Sequence, residues 1–89
     1  MAVLLFTHKV KDFAAWKKAF DTHIDMRKSF GEVSAEVLRD ASDPNLITVV
    51  NKWDSVANAQ KFVHSPELRA AMETAGVVGQ PAVSFLNEA

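Results

Sequence analysis

Residues 2–10 read AVLLFTHKV and residues 46–53 read LITVVNKW. Both stretches are rich in β-branched and aromatic residues, the composition of strands. Neither alternates as a half-wet strand does. Val3 and Leu5 point to one side and Leu4 and Phe6 to the other, while Leu46 and Val50 oppose Ile47 and Val49. A strand that is apolar on both sides belongs in the middle of a sheet covered on both faces.

What lies between them sets the topology. Asp12 offers a helix N-cap. At about 100° per residue, Phe13, Trp16, Phe20, Ile24 and Arg27 fall on one stripe, with His23 at its edge. One amphipathic helix is expected over Phe13–Ser29, stopped by Gly31. Glu32 to Asp40 alternates, with Val33, Ala35 and Val37 on one side and Glu32, Ser34 and Glu36 on the other, a half-exposed strand. Ala41 to Asn45 is turn chemistry, which makes an antiparallel hairpin with Leu46–Trp53.

Ser55 then caps a short helix with Val56, Ala59, Phe62 and Val63 inward. Ser65-Pro66 restarts it, since proline suits a first helical position. Leu68, Ala71 and Met72 continue the apolar side, and Gly76 ends it. Val77–Pro81 reads as a loop and Ala82–Leu86 as the last strand. The order β-α-β-β-α-β predicts a ferredoxin-like α+β plait, a four-stranded antiparallel sheet with helices on one face. The inner strands are the first and third. Nothing remains to cover the second face, so a second copy of the chain is expected there, as a homodimer.

Length and composition agree. The 89 residues are read as one domain, 1–89, with no cysteine and hence no disulfide or cysteine-based metal site. So short a chain buries only about 60–65% of its unfolded surface, and association is the remaining aid to stability. Ten basic residues against 11 acidic leave a net charge of -1, which gives no reason to expect nucleic acid or an anionic membrane as partner. The apolar start Met1–Phe6 is too short for a signal sequence, so a cytoplasmic location is expected.

At this point the chain resembles the dimeric α+β barrel superfamily and, within it, the antibiotic-biosynthesis-monooxygenase-like proteins of the small "cyclase" or "monooxygenase" branch. The resemblance rests on His8-Lys9-Val10-x-Asp12-Phe13-x-x-Trp16, followed by Phe20 and His23. It continues through Asp43-Pro44-Asn45, Trp53-Asp54, Phe62-Val63-x-Ser65-Pro66-Glu67-Leu68-Arg69 and Ala75-Gly76-Val77-x-Gly79-x-Pro81. It implies a dimeric barrel and, in some relatives, cofactor-free oxygenation of phenolic polyketides. Those enzymes carry a Trp at the end of the third strand and an Arg on the second helical segment, which Trp53 and Arg69 match. They also carry an Asn four residues before the Trp, where this chain has Val49, with Asn51 on the same strand face. Their Tyr six residues after the Trp is Ala59 here. Haem-degrading relatives need a Trp and a His where this chain has Phe62 and Met72, so haem is not expected as a ligand.

The residues themselves offer further candidates. His23 and Arg27 lie four apart on the apolar side of the first helix with Trp16 and Phe20. A histidine at the border of an apolar pocket suits a general base near neutral pH, and Arg27 suits an anionic substrate oxygen. The plainer alternative is a His bonded to a backbone carbonyl and an Arg snorkelling at the helix end. His8 converges with His23 if its pleat side faces the helices, and lines the dimer barrel if it faces the partner; parity leaves both open. Trp16, Trp53, Phe20 and Phe62 can wall a flat ligand or simply pack the core. Asn51 and Arg69 are candidates to steady a developing oxyanion. No His-x-His or His-x₃-His spacing points to a metal.

These features support a cofactor-free monooxygenase or cyclase acting on a small aromatic or polyketide-like carbonyl compound. The substrate anion itself would be the electron source. A non-catalytic ligand-binding or stress-response dimer is the alternative, and a module with a closed pocket the third. An open, partly polar cavity beside Trp16 and His23 favours the first two.

Overall fold

Asp12 accepts a hydrogen bond from Ala15 N at 3.0 Å and starts the first helix, and two serines repeat the device at the helices further on. The computed structural model describes all 89 residues. They form β1 (Ala2–Val10), α1 (Phe13–Thr22), α2 (Ile24–Phe30), β2 (Glu32–Arg39), β3 (Leu46–Trp53), α3 (Val56–Val63), α4 (Pro66–Ala75) and β4 (Val77–Asn87). Ser55 caps α3 and Ser65 caps α4, with Pro66 in the first turn. No helix is long and apolar enough to cross a membrane.

The sheet is antiparallel in the order β2-β3-β1-β4, so the two strands apolar on both sides are the central ones. Leu4, Phe6, Ile47, Val49 and Trp53 face the helices and are buried there with Trp16 and Phe62. The hairpin turn is wired by its own polar groups: Asp40 Oδ2 accepts from Ser42 N and Asp43 N. Asn45 Oδ1 reaches across to Phe13 N at 3.2 Å and ties the turn to the start of α1.

Three expectations need correcting. The first helical arm is not continuous; it breaks at His23, whose φ of -90° and ψ of 18° leave the helical run. The cause is competition for carbonyls. The Phe20 carbonyl, which a continuous helix would offer to Ile24 N–H, receives His23 N–H and the Arg27 guanidinium instead. As a result Ile24 turns outward, 43% exposed, and Met26 packs on the core in its place.

The second correction concerns β2. A register shift between Glu32 and Ser34 marks a β-bulge at Val33. One extra residue resets the parity. Glu32 therefore shares the helix side with Ala35 and Val37, opposite the side expected, and Val33 is left exposed. Third, Val77–Pro81 is not a loop. Val77 and Val78 pair with Val10 and Lys9, and a second register shift opens before Ala82 pairs with Thr7. Gly79, with φ of 72°, lies in that irregular stretch. Pro81 is tolerated because β4 is an edge strand.

The other face of the sheet carries no helix. Leu5, Leu46 and Val50 lie there half-buried at its centre. Leu38 and Leu86, 45% and 46% exposed, flank them on the two edge strands.

Two glycines separate backbone strain from crowding. Gly31 closes α2 at φ of 110°, and a Cβ there would run into the Asp54 carboxylate, which accepts from Asn58 Nδ2. Gly79 is also left-handed but has open space around it. Gly79→Ala should cost about 1–2 kcal/mol, the left-handed penalty alone. Gly31→Ala should cost about 1 kcal/mol more, because Asp54 must also give up its bond. Urea unfolding of the two variants checks this; equal losses would refute the crowding at Gly31.

Candidate functional site

Between the sheet and the helices lies a cavity of about 70 Å³, lined by 16 residues of which 12 are hydrophobic. β1 contributes Leu4, Phe6 and His8, and β3 contributes Val49 and Asn51. Trp16, Ala19 and Phe20 come from α1, His23 from the helix break, and Met26 and Arg27 from α2. Phe62 on α3 and Leu68, Ala71, Met72 and Ala75 on α4 close the other side. Alternation along β1 puts His8 on the helix side with Leu4 and Phe6, which settles the orientation that parity left open.

Three ionisable groups reach this wall, and each has a distinct environment. His8 is 5% exposed and neither ring nitrogen has a hydrogen-bond partner. It sits between Phe6 and Trp16, each with ring centroids 5.3 Å away. Burial among these rings disfavours the charged form and lowers its pKa to about 4, so the ring is neutral at physiological pH. His23 is half-buried, and its Nδ1 lies 2.7 Å from Ala19 O. A carbonyl only accepts, so Nδ1 carries the proton and, in the neutral ring, Nε2 holds the lone pair.

Arg27 is the third. Its Nε donates to both carboxylate oxygens of Glu32, at 3.1 and 3.0 Å, and its Nη1 to Phe20 O at 2.5 Å. The guanidinium carbon also stands 3.6 Å above the Phe20 ring, a cation–π contact. Glu32 is buried as well and accepts from Asn51 Nδ2 at 3.0 Å, while Asn51 Oδ1 is buried without a partner. Glu32 thus joins α2, β2 and β3 through one carboxylate. Reading the sequence by alternation missed it, because the bulge at Val33 hides its side. An acid five residues beyond Arg27 was the available signal.

The cavity brings together His8, Trp16, Phe20, His23, Arg27, Asn51 and Phe62 from the sequence candidates. Two candidates fall outside it. Arg69 is exposed on α4. Trp53 is fully buried behind Phe62, ring centroids 4.9 Å apart, and supports that wall without lining it. Met26 and Met72 were not anticipated as lining groups. His8, His23 and His64 do not gather with acids into a group of three that could hold a metal ion.

The model of the family described as antibiotic biosynthesis monooxygenase matches residues 1–74. No curated protein matches the sequence. Among solved structures, a Bordetella bronchiseptica protein assigned to antibiotic biosynthesis monooxygenases superposes with a TM-score of 0.83 at 15% identity, covering 99% of this chain and 96% of that one. A Caulobacter crescentus protein with the same assignment gives 0.77 at 17% identity, covering 99% and 89%. SnoaB, a cofactor-independent oxygenase from Streptomyces nogalater solved in a mutant form, gives 0.74 at 12% identity, covering 98% and 91%. At such identities the likeness is one of fold.

Two stability predictions come from these groups. Glu32→Gln leaves the buried Arg27 charge unanswered and should cost about 3–5 kcal/mol. Adding Arg27→Met removes that charge and should recover at least half of the loss in urea unfolding. No recovery would mean that the pair's charge is not what matters.

A lowered histidine pKa means that the unfolded chain binds more protons than the folded one. The stabilising effect of a neutral His8 is therefore complete above about pH 6.5 and is lost as pH falls toward about 4. The loss amounts to about 3 kcal/mol. His8→Phe should remove this part of the acid sensitivity while keeping the fold, since the ring gives up no bond. An unchanged stability-versus-pH curve for His8→Phe would refute the assignment.

Proposed function

The chain belongs to the antibiotic biosynthesis monooxygenase family, and from that premise we propose that it is a homodimeric, cofactor-independent monooxygenase or cyclase. Its substrate is a small aromatic or polyketide-like carbonyl compound held in the cavity of each subunit. The carrying observation is His23, a cavity-lining residue whose Nδ1 is held by Ala19 O, which leaves Nε2 as the acceptor. That tautomer suits a general base.

His23 takes a proton from carbon next to the substrate carbonyl and leaves a delocalised anion. Arg27 is the cation on the same wall, with Nε and Nη1 committed to the protein and its charge fixed in place by Glu32. The buried pair is neutral as a whole, so Arg27 shapes and orients this wall and adds no net charge to meet the anion. In the oxygenase reaction the anion combines with O₂. The substrate CH₂ becomes C=O, the second oxygen atom leaves as water, and the carbon supplies all four electrons. Ring closure is the alternative fate of the same anion. Arg69 drops out as an oxyanion donor because it is exposed outside the cavity, while Asn51 gives one of its two amide hydrogens to Glu32 and keeps the other.

The uncovered sheet face supports the dimer. Leu38, Leu86 and the half-buried Leu5, Leu46 and Val50 put large apolar side chains on that face beside Thr7, Thr48, Lys52 and Glu36, and a two-fold pairing buries them on both copies. Sedimentation at micromolar concentration should give twice the chain mass. Leu38→Asp with Leu86→Asp changes only exposed positions, so it should spare the subunit fold and shift the mass toward a single chain. A wild-type chain that stays single at that concentration overturns the pairing.

Oxygen uptake and product analysis with a panel of aromatic carbonyl compounds test the chemistry. His23→Ala should lower kcat at least 100-fold, the ordinary contribution of a general base, with ligand affinity within about threefold. An unchanged kcat removes His23 from the mechanism. Ligand binding without turnover by the wild-type protein favours the non-catalytic binding role.

A further inference from the structure

The cavity makes demands on its ligand that family membership does not supply. It is small. A cavity of 150 Å³ in another protein holds one benzene molecule, and this one measures about 70 Å³. Met26 and Met72 are among its half-buried lining residues, and unbranched thioether side chains adjust readily. That freedom is enough for one ring. It is not enough for three fused rings against Trp16, Phe62 and the sheet floor of Leu4 and Val49, all of them buried.

The polar side is equally restrictive. His8 and Asn51 are both more than nine-tenths buried, and between them three side-chain atoms lack partners: both nitrogens of His8 and Oδ1 of Asn51. Asn51 Oδ1 can only accept. A neutral imidazole offers one donor and one acceptor. The cation on this wall, Arg27, is already matched by Glu32, so the ligand is not asked to bring a negative charge. A hydroxyl both donates and accepts, and it answers this set better than a carboxylate, which would confront the acceptors.

We infer that the site selects a neutral single-ring hydroxy compound, a phenol or cyclic enol, bound un-ionised with its hydroxyl hydrogen-bonded to His8. This rests on the proposed function for the location of the pocket but concerns binding alone. It narrows the ligand from polycyclic compounds to one ring and makes His8 the residue that reads the hydroxyl.

Calorimetric titration of the wild-type protein and of His8→Phe with four probes tests it: 4-methylphenol, its methyl ether, 4-methylbenzoate and a hydroxyanthracene. The phenol should bind at least tenfold more tightly than the ether and the carboxylate, and the three-ring phenol should show no binding. In His8→Phe the preference for phenol over ether should fall to within about twofold, with circular dichroism confirming the fold. The inference is overturned if the three-ring compound binds as tightly as the single ring, if the carboxylate binds best, if no probe binds, or if His8→Phe keeps the preference. Single-ring binding with this selectivity alongside no oxygen uptake or ring closure from any aromatic carbonyl compound would sink the enzymatic reading and leave this one standing. Turnover of three-ring substrates dependent on His23 would do the reverse.

Discussion

A charge buried in a protein interior has to be answered on the spot, and the guanidinium of Arg27 is answered from three directions. Glu32 takes its Nε, the Phe20 carbonyl takes Nη1, and the Phe20 ring lies beneath its plane. Desolvating such an ion costs several kcal/mol, repaid only when geometry and hydrogen bonds are complete. Much of the local architecture follows. The Phe20 carbonyl is drawn out of the helical ladder, so the helix breaks at His23. The carboxylate must come from the first residue of β2, so that strand begins with a bulge. The carboxylate's spare capacity goes to Asn51, which orients the amide of β3 along the same wall.

The site inherits its geometry from this network. The break brings His23 to the cavity edge, where the Ala19 carbonyl one turn behind it takes both its backbone N–H and Nδ1. His8, by contrast, owes its properties to rings. Phe6 and Trp16 pack on either side and provide no polar partner, which keeps the imidazole uncharged. Two histidines on one wall therefore differ in kind: one is held through Nδ1 by a backbone carbonyl, the other has no polar partner and resists charging.

The sheet was legible in the sequence because its evidence is local and redundant. Val3 to Phe6 and Ile47 to Val50, apolar on both sides, mark the central strands, and the Asp43-Pro44-Asn45 turn fixes the pairing. The resemblance carried by Trp53-Asp54 and the Phe62 to Arg69 stretch led to the same family as the match over residues 1–74. What escaped was set by long-range hydrogen bonds. Periodicity counts side chains and is blind to carbonyls, so Phe13–Ser29 looked like one helix and Ile24 like a core residue. Strict alternation turned Glu32 outward. The Val77–Pro81 stretch reads as a loop because Gly79 and Pro81 punctuate it, yet an edge strand tolerates both. In the cavity, Trp16, Phe20 and His23 could be placed from the helical stripe. Arg69 could not, since the resemblance supplied its position and the packing of α4 leaves it in solvent.

The bulge at Val33 bears on how this fold varies through descent. One extra residue there lets Glu32 and Ala35, three apart in the chain, share the side that meets the arginine. Losing that single codon would restore regular pleating with Glu32 still opposite Trp53 and Ala35 still opposite Asn51, so the acid would keep its wall. A substitution cannot do the same, since an unbulged strand of unchanged length would turn the acid away from the cation. A sequence comparison that forbids a one-residue gap here would align the wrong acid with the wrong wall.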